Sequence, residues 1–248
     1  GAVMSPDSMT EIWVYLSAQP LLWLTLTLAA YLLAIGLHRK AGGHPAVNPV
    51  LISVTILVSL LLATGTPYQR YFDGAQFVHF LLGPTTVALA VPLHSQLRRL
   101  MTMSGPIVVA LVVGSAVAGL SAYAIGALLG ASTPTLVSLA PKSVTTPIAM
   151  GIAERLGGLA SLTAVFVILT GIFGAIVADG LLRRLGVRDE ASVGFALGLA
   201  SHGIGTARAF QLGEQTGAFA ALAMGLNGLF TAITLPWLLP LLASLLKT

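Results

Sequence analysis

The sequence predicts an all-α protein that crosses a membrane several times. Of its 248 residues, 56% are hydrophobic and only 8% are charged, whereas about 25% of the residues of a soluble domain are charged. The mean hydropathy is +0.93. Most stretches without Asp, Glu, Lys or Arg are long enough for one crossing, which takes about 20 residues; they are residues 12–38, 41–69, 74–97, 100–141, 156–178, 191–207 and 215–246.

Helices fit these stretches better than the strands of a membrane barrel. Residues 21–37 and 50–63 are continuous apolar runs, whereas barrel strands alternate apolar and polar residues. The same composition excludes a disordered chain, a coiled coil and a nucleic-acid-binding module. We attribute the net charge of +4 to residues that flank the membrane. Cysteine is absent, so the sequence gives no indication of the redox compartment.

The N-terminal part predicts two plain spans. Gly1 to Val3 precede a methionine and are typical of an expression scar, so we expect a single membrane domain over residues 4–248. Within residues 20–73, the spans are predicted at about 20–37 and 49–64. The segment Tyr68–Asp73 mixes aromatic and charged residues, which is typical of a connector at headgroup depth.

The rest of the chain reads as three repeat-like units, at residues 74–129, 131–186 and 191–247. Each unit has an apolar segment with a polar or Pro/Gly interruption, followed by a long uninterrupted helix. The interruptions are Gly83–Thr86, Ala140–Pro147 and Ser201–Arg208, and the long helices are predicted at about 105–129, 159–182 and 217–246. The second and third units align without gaps at a spacing of 60, with seven identities in 22 positions. About two or three identities are expected from this composition, so an internal repeat is predicted.

The direction of the repeats stays open at this level. If each interrupted segment crosses the membrane, successive units run parallel; if it dips in and returns, they are inverted. The total is therefore six to eight transmembrane helices, with interrupted helices that are either broken or re-entrant. Basic residues do not decide the orientation, because in the full-crossing alternative they fall on conflicting sides; they are Arg39, Lys40, Arg98, Arg99, Arg183, Arg184 and Arg188.

Interruptions at equivalent positions of repeats point to a transport site, because irregular backbone at membrane depth is tolerated only against protein or a watery cavity. Lys142 lies in the second interruption with Ser143, Thr145 and Thr146, just before a helix that Pro147 can enter in its first turn. A helix N-terminus, an ammonium group and hydroxyls together suit a carboxylate. The alternative is that Lys142 extends from a helix end that the hydroxyls cap.

The third interruption contains His202, Gly203, Gly205, Thr206 and Arg208. Its glycines disfavour regular helix and let the backbone approach a ligand closely. Arg208 could bind a carboxylate through two parallel hydrogen bonds, and His202 could carry a proton near neutral pH. On an ideal helix these two side chains are about 120° apart, so a shared ligand requires unwound backbone. The alternatives are an ion pair of Arg208 with Glu214 and a polar contact between helices for His202.

Further polar residues have two interpretations each. Glu154 and Glu214 occupy equivalent repeat positions and either anchor helix ends or couple transport to an ion. Asn227 either forms a hydrogen bond between helices or contacts substrate. Asp179 and Arg183 are four residues apart, which predicts an ion pair on a helix surface. The first interruption has no cation and is interpreted as structural.

No catalytic signature is present. The sequence has no HExxH pair, no GxSxG elbow and no Walker loop, and its histidines and carboxylates are scattered. We therefore expect no enzyme activity, no metal site and no cofactor.

Two motifs resemble those of a known family. The segments PKSVTTPIAMGIAERLGG at residues 141–158 and GLASHGIGTARAFQLGE at residues 198–214 closely resemble the LrgB/CidB family, and the resemblance extends from about Met9 to the C-terminus. Members of that family are described as antiholin-like proteins and as regulators of murein hydrolase export. Relatives in plastids are similar to glycolate/glycerate translocators, and bacterial pairs are connected with pyruvate uptake. The resemblance thus implies a smaller LrgA- or CidA-like membrane partner.

Together these features predict a multi-pass carrier of small monocarboxylates in the bacterial inner membrane, with substrates resembling glycolate, glycerate or pyruvate. Lys142 and Arg208 are the predicted anion contacts. Further predicted substrate contacts are Ser143, Thr145, Thr146, His202, Gly203, Gly205, Thr206 and Asn227. The alternative is a holin- or antiholin-like regulator of murein hydrolases and lysis that acts with an LrgA-like partner. The oligomeric state stays open, and no nucleic-acid partner is expected.

Overall fold

The computed structural model describes residues 19–246, and that part of the chain contains helices and no strands. It forms two compact units, one before residue 89 and one from residue 89 onward. The boundary falls inside residues 74–129, the first of the predicted repeat-like units. Gly1 to Val3 lie outside the described residues.

The first unit contains four described helices: α1 (Pro20–Lys40), α2 (Pro49–Thr64), α3 (Tyr68–Phe80) and α4 (Leu82–Ala88). The side-chain oxygen of Asn48 caps α2 by accepting hydrogen bonds from the N–H groups of Val50 and Leu51. One expectation was wrong here, because Gly83–Thr86 lies within α4 rather than interrupting a helix. The predicted interfacial connector is helical and forms the start of α3. Pro84 occupies the first turn of α4, where a missing N–H costs no helical hydrogen bond.

The second unit begins with the short helices α5 (Ala90–Ser95) and α6 (Leu97–Thr102) and the long helix α7 (Ser104–Leu128). The order short helix, non-helical turn, short helix, long helix then occurs twice. In its first occurrence it comprises α8 (Thr133–Leu139), α9 (Thr146–Arg155) and α10 (Ala160–Arg184), and in its second α11 (Glu190–Leu212) and α12 (Glu214–Leu246). The three long helices lie within a few residues of their predicted positions.

Four described helices are long and apolar enough to cross a membrane: α1, α7, α10 and the Glu214–Ser244 part of α12. The apolar helix α2 is shorter. Large apolar side chains on these helices are exposed, for example Leu32 at 67% and Trp237 at 79%. Lipid contact explains such surfaces, which a soluble protein rarely presents. The protein is a helical membrane protein, and the total of six to eight spans stays a prediction.

Helix α11 folds back on itself. Ser201 (φ −127°, ψ 15°) and His202 (φ 42°, ψ −133°) have non-helical backbone angles. A Cβ atom on Gly205 would collide with the carbonyl oxygen of Leu197, although residues eight apart in a straight helix are about 12 Å apart. Val193 and Ala209 also belong to one apolar cluster. Helix α11 is therefore a hairpin, called hairpin 2, with two helical arms and its tip at Ser201–Gly203.

Helices α8 and α9 form a second hairpin, called hairpin 1, with its tip at residues 140–145. The N–H of Leu159, beyond the end of α9, donates a hydrogen bond of 2.8 Å to Oγ of Ser138 in α8, so the chain returns alongside α8 after the tip. Helix α8 lies along α7, because a Cβ on Gly126 would be 2.7 Å from Leu136. Helix α9 lies along α12, since Ile152 shares an apolar cluster with Leu235.

The two hairpins enter from opposite ends of α10 and α12. Hairpin 1 opens beside the start of α10, whereas Ala178 and Leu182 near the end of α10 pack against the arms of hairpin 2. Helix α12 starts beside the open end of hairpin 2, where Gly194 meets the backbone of Thr216. It then runs toward hairpin 1. Helices α10 and α12 thus run in opposite directions.

Candidate functional site

The tips of the two hairpins meet at Asn227 in the middle of α12. Its Nδ2 donates hydrogen bonds to the carbonyl oxygens of Ser143 in the tip of hairpin 1 (3.2 Å) and of Leu199 beside the tip of hairpin 2 (2.9 Å). Its Oδ1 accepts from the hydroxyls of Ser115 in α7 (2.7 Å) and Thr231 (3.1 Å). The side chain is 1% exposed, and these bonds use its full hydrogen-bonding capacity. The structure favours the interhelical interpretation of Asn227 over a substrate contact.

Lys142 lies at the tip of hairpin 1. Its side chain is half-buried, and its Nζ donates a hydrogen bond of 3.2 Å to Oγ of Ser143. The carbonyl of the next residue, Ser143, is held by Asn227 together with that of Leu199, three residues before His202. Pro141 and Val144 on either side are buried, so Lys142 lies in the region where the tips converge.

A helix N-terminus lies beside Lys142. Thr145 is the N-cap of α9 with extended backbone (φ −63°, ψ 146°), and its hydroxyl makes no capping hydrogen bond. The alternative in which this hydroxyl caps the helix was therefore wrong. Pro147 enters the first turn, as predicted. The first N–H groups of a helix have no partner within it and carry partial positive charge, and the half-buried hydroxyls of Thr145 and Thr146 lie next to them.

His202 forms the turn of hairpin 2. Its ring is 5% exposed, and its Nε2 donates a hydrogen bond of 2.9 Å to the carbonyl oxygen of Val167 in α10. This is the polar contact between helices that the sequence left as an alternative. Its positive φ is rare for a residue with a side chain and strains the backbone. Gly171 makes room for the ring, since a Cβ there would lie 2.7 Å from it. The hydroxyl of Thr206 donates to the carbonyl oxygen of His202 (2.8 Å) and holds the turn.

The two glycines of the third interruption have different roles. Gly203 is exposed, and the nearest atom to a Cβ placed there is Sδ of Met224 at 3.9 Å. Gly205 is buried against the carbonyl of Leu197, so the structure assigns it to packing between the arms rather than to the substrate contact we predicted.

Arg208 lies in the returning arm of hairpin 2. Its Nη1 donates to Oε1 of Gln211 (3.0 Å), while its Nε is buried without a partner among the described residues. The alternative prediction, an ion pair of Arg208 with Glu214, was wrong. In the described part of the chain, ion pairs occur only at Arg99–Asp189 and Arg183–Asp179. Six helical residues displace Arg208 from His202 by about 9 Å toward the open end of the hairpin. Among the described residues the two cations have different partners, Gln211 for Arg208 and Ser143 for Lys142.

The two equivalent glutamates lie away from the tips. Glu154 is exposed in the last turn of α9, and Glu214 is exposed at the first position of α12. Both positions are at the open ends of the hairpins. An acidic residue at a helix start is favourable for the helix dipole, which suits the anchoring interpretation of Glu214.

Of the two ion pairs among the described residues, one lies within a helix and one connects two elements. Arg183 and Asp179 form the predicted pair, at 2.8 Å. Arg99 and Asp189 form a second pair, at 2.7 Å, which the sequence did not indicate because the partners are 90 residues apart. The N–H of Ser192, together with Arg99, holds the pKa of Asp189 below its usual value. Sequence reasoning also missed Ser115 and Val167, which carry no signal beyond their places in apolar helices.

Comparison with known proteins identifies the family. The model of the LrgB-like family matches residues 27–241. The chain belongs to this family. Within it, the protein YwbG of Bacillus subtilis is 36% identical over 87% of this chain and 96% of its own length. The holin-like protein CidB of Staphylococcus aureus is 30% identical over 89% of this chain and 96% of its own length. No solved structure matches the chain.

Proposed function

We propose that this LrgB-like protein is a membrane carrier for a small monocarboxylate, which binds between the tips of hairpins 1 and 2. One observation carries the proposal: two oppositely directed hairpins meet at Asn227, and the cation Lys142 is bonded to Ser143, one of the residues at their meeting point. Inverted repeats whose broken helices meet near the bilayer centre are the arrangement by which many transporters bind substrate.

The proposed membrane arrangement follows from the helix lengths. The long helices α1, α7, α10 and α12 cross the bilayer, and hairpins 1 and 2 enter it from opposite faces without crossing. The backbone at the tips then lies at membrane depth, where polar groups need partners. Asn227 satisfies two of the tip carbonyls, and His202 satisfies one carbonyl of α10.

The tip of hairpin 1 has the chemistry to bind a carboxylate. Lys142 supplies a full positive charge, the start of α9 supplies unpaired N–H groups, and Thr145 and Thr146 supply hydroxyls. In hairpin 2, the backbone of Gly203 is exposed, so the start of the returning arm is also accessible to the carboxylate. Keeping a cation at membrane depth is expensive, and such residues usually serve a function. Ser143 positions Lys142 through its hydroxyl.

The remaining predicted residues have secondary roles in this proposal. His202 is the candidate proton carrier, because it forms the tip of hairpin 2 and imidazole is a side chain suited to proton transfer. Arg208, about 9 Å nearer the open end of hairpin 2, is a contact on the way to or from the binding position. Glu154 lies at the open end of hairpin 1 and Glu214 at the open end of hairpin 2. They are candidates for ion coupling only if the hairpins move.

A second candidate function is favoured by the names of relatives: CidB of Staphylococcus aureus and of Staphylococcus epidermidis are called holin-like proteins. In this alternative the chain regulates murein hydrolases and lysis with a small LrgA-like membrane protein. A pore would need a polar stripe along a membrane helix, whereas the polar groups of this chain concentrate at the hairpin tips. A carrier can also affect lysis indirectly, through the carboxylate it moves.

Uptake of radiolabelled pyruvate, glycolate and glycerate into proteoliposomes tests the proposal. We expect saturable uptake by the chain, with and without a pH gradient, and its loss in Lys142→Gln. The matched control is Arg155→Gln, which removes an exposed cation at the open end of hairpin 1 and is expected to leave uptake unchanged.

Two outcomes would contradict the carrier proposal. Equal uptake by Lys142→Gln and by the unsubstituted protein would show that Lys142 does not bind the substrate. Unsaturable passage of large solutes, or no uptake under any gradient even with an LrgA-like partner present, would favour the holin-like alternative.

A further inference from the structure

The fold gathers arginines at one end of the unit that starts at residue 89. At this arginine end, α7 begins, α10 ends and α11 begins, and its basic residues are Arg98, Arg99, Arg183, Arg184 and Arg188. At the opposite end, α7 ends, α8 begins and α9 ends. Among the described residues of that end, Arg155 is the basic residue present.

Contacts confirm that these arginines share one end. Arg99 in α6 pairs with Asp189 at the N-cap of α11, at 2.7 Å. Arg183 and Arg184 are in the last turn of α10, and Arg188 follows in the connection to α11. A cavity of about 480 Å³ at the open end of hairpin 2 is lined by Arg183, Arg188 and the start of α11.

The return of hairpin 1 makes this distribution consistent. If hairpin 1 crossed the membrane, α10 would start at the end where α7 starts, and Arg183, Arg184 and Arg188 would lie opposite to Arg98 and Arg99. Because hairpin 1 returns, α7 and α10 are antiparallel, and the described basic residues at helix ends of the unit that starts at residue 89 divide five to one. Lysine and arginine in short connections are strongly enriched on the cytoplasmic side of membrane proteins.

We propose that the arginine end faces the cytoplasm and lies at the anionic headgroups of the inner leaflet. Hairpin 2, with His202, then enters the membrane from the cytoplasm, and hairpin 1, with Lys142, enters from the outer face. The acidic residues Asp179, Asp189 and Glu190 at the arginine end do not oppose this, because acidic residues contribute little to orientation. The inference concerns orientation and holds whether or not the protein is a carrier.

The chain contains no cysteine, so single cysteines can report the orientation directly. Leu129 and Leu185 are a matched pair: each is the C-cap residue of a 25-residue helix, α7 and α10, and these helices run in opposite directions. Both are exposed, at 82% and 68%. A second pair is Thr133 and Glu190, the exposed first residues of hairpins 1 and 2.

The experiment labels Leu129→Cys, Leu185→Cys, Thr133→Cys and Glu190→Cys with a membrane-impermeant maleimide. It uses right-side-out and inside-out membrane vesicles, and labelling in detergent measures the total reactive thiol of each variant in the membrane fraction. We expect Leu129→Cys and Thr133→Cys to react in right-side-out vesicles. Leu185→Cys and Glu190→Cys should react in inside-out vesicles, and each of the four cysteines should react much more weakly in vesicles of the other orientation.

The proposal is overturned if either cysteine at the arginine end reacts preferentially in right-side-out vesicles. It is equally overturned if both members of a pair react from both sides, since that would show two orientations. Because the readout needs no substrate, it is independent of the uptake experiment and of the carrier proposal.

Discussion

At the scale of single residues, steric contacts explain which glycines the hairpins require. Gly205 lies where the arms of hairpin 2 touch, and a Cβ there would collide with the backbone oxygen of Leu197. Backbone cannot move aside as the end of a flexible side chain can. Gly225 of α12 is exposed, and a Cβ placed there would meet no neighbouring element within 4 Å. Gly205 and Gly225 thus differ in whether the structure has room for a side chain at that position.

We expect Gly205→Ala to separate the arms of hairpin 2 and to lower the free energy of unfolding by about 1–3 kcal/mol, the usual range for overpacking. The control Gly225→Ala should be neutral or stabilising by up to about 1 kcal/mol, because alanine is the better helix former. Thermal unfolding in detergent measures both. Equal melting temperatures of Gly205→Ala and the unsubstituted protein would show that the arms do not touch at this position.

At the scale of the element, hairpin 2 contains a sharp turn between two helical arms. Its hydrogen bonding is helical on both sides of the tip, and only Ser201 and His202 depart from helical angles. The turn persists because surrounding contacts hold it: the His202 ring binds Val167, and Thr206 binds the His202 carbonyl. Strain of this kind is found where neighbouring structure imposes it.

A distance measurement can test the fold-back. Spin labels at Glu190→Cys and Gln211→Cys, both exposed, would be about 32 Å apart if α11 were straight. We expect less than about 20 Å, since Val193 and Ala209 share one apolar cluster. The control pair Ser161→Cys and Leu181→Cys, on the straight helix α10, should give about 30 Å. A distance near 30 Å for both pairs would show that α11 is continuous.

At the scale of the whole molecule, Asn227 connects four elements. It joins α12 to α7 through Ser115, to hairpin 1 through Ser143 and to hairpin 2 through Leu199. Hydrogen bonds between membrane helices are individually modest, at about 0.6–2 kcal/mol. Their effect here is positional, because a single side chain holds both tips in register.

We expect Asn227→Asp to lower the free energy of unfolding by about 2–4 kcal/mol, because the carboxylate keeps the acceptors but offers no donor to two buried carbonyls. Ser115→Ala, which removes one hydroxyl bond, should cost about 1 kcal/mol. Chemical unfolding in detergent compares the two. A larger loss in Ser115→Ala than in Asn227→Asp would mean that the tips are held by other contacts.

Local features of the sequence were sufficient for much of the fold. The helical membrane class, the positions of α7, α10 and α12, and the interruptions at Lys142 and His202 depend on composition and on runs of about 20 residues, which are read from neighbouring residues. The Asp179–Arg183 pair was predictable for the same reason, because helix geometry sets its spacing.

Only the tertiary structure decided how these pieces are arranged. The return of hairpin 1 brings the arginines to one end, and the return of hairpin 2 sets the direction of α12. The bonds of Asn227 join residues 28, 84 and 112 positions apart, and the Arg99–Asp189 pair joins residues 90 apart. No local pattern encodes such pairs, because long-range contacts arise from packing whole helices against each other, whereas propensity and hydrophobic periodicity act within one helix.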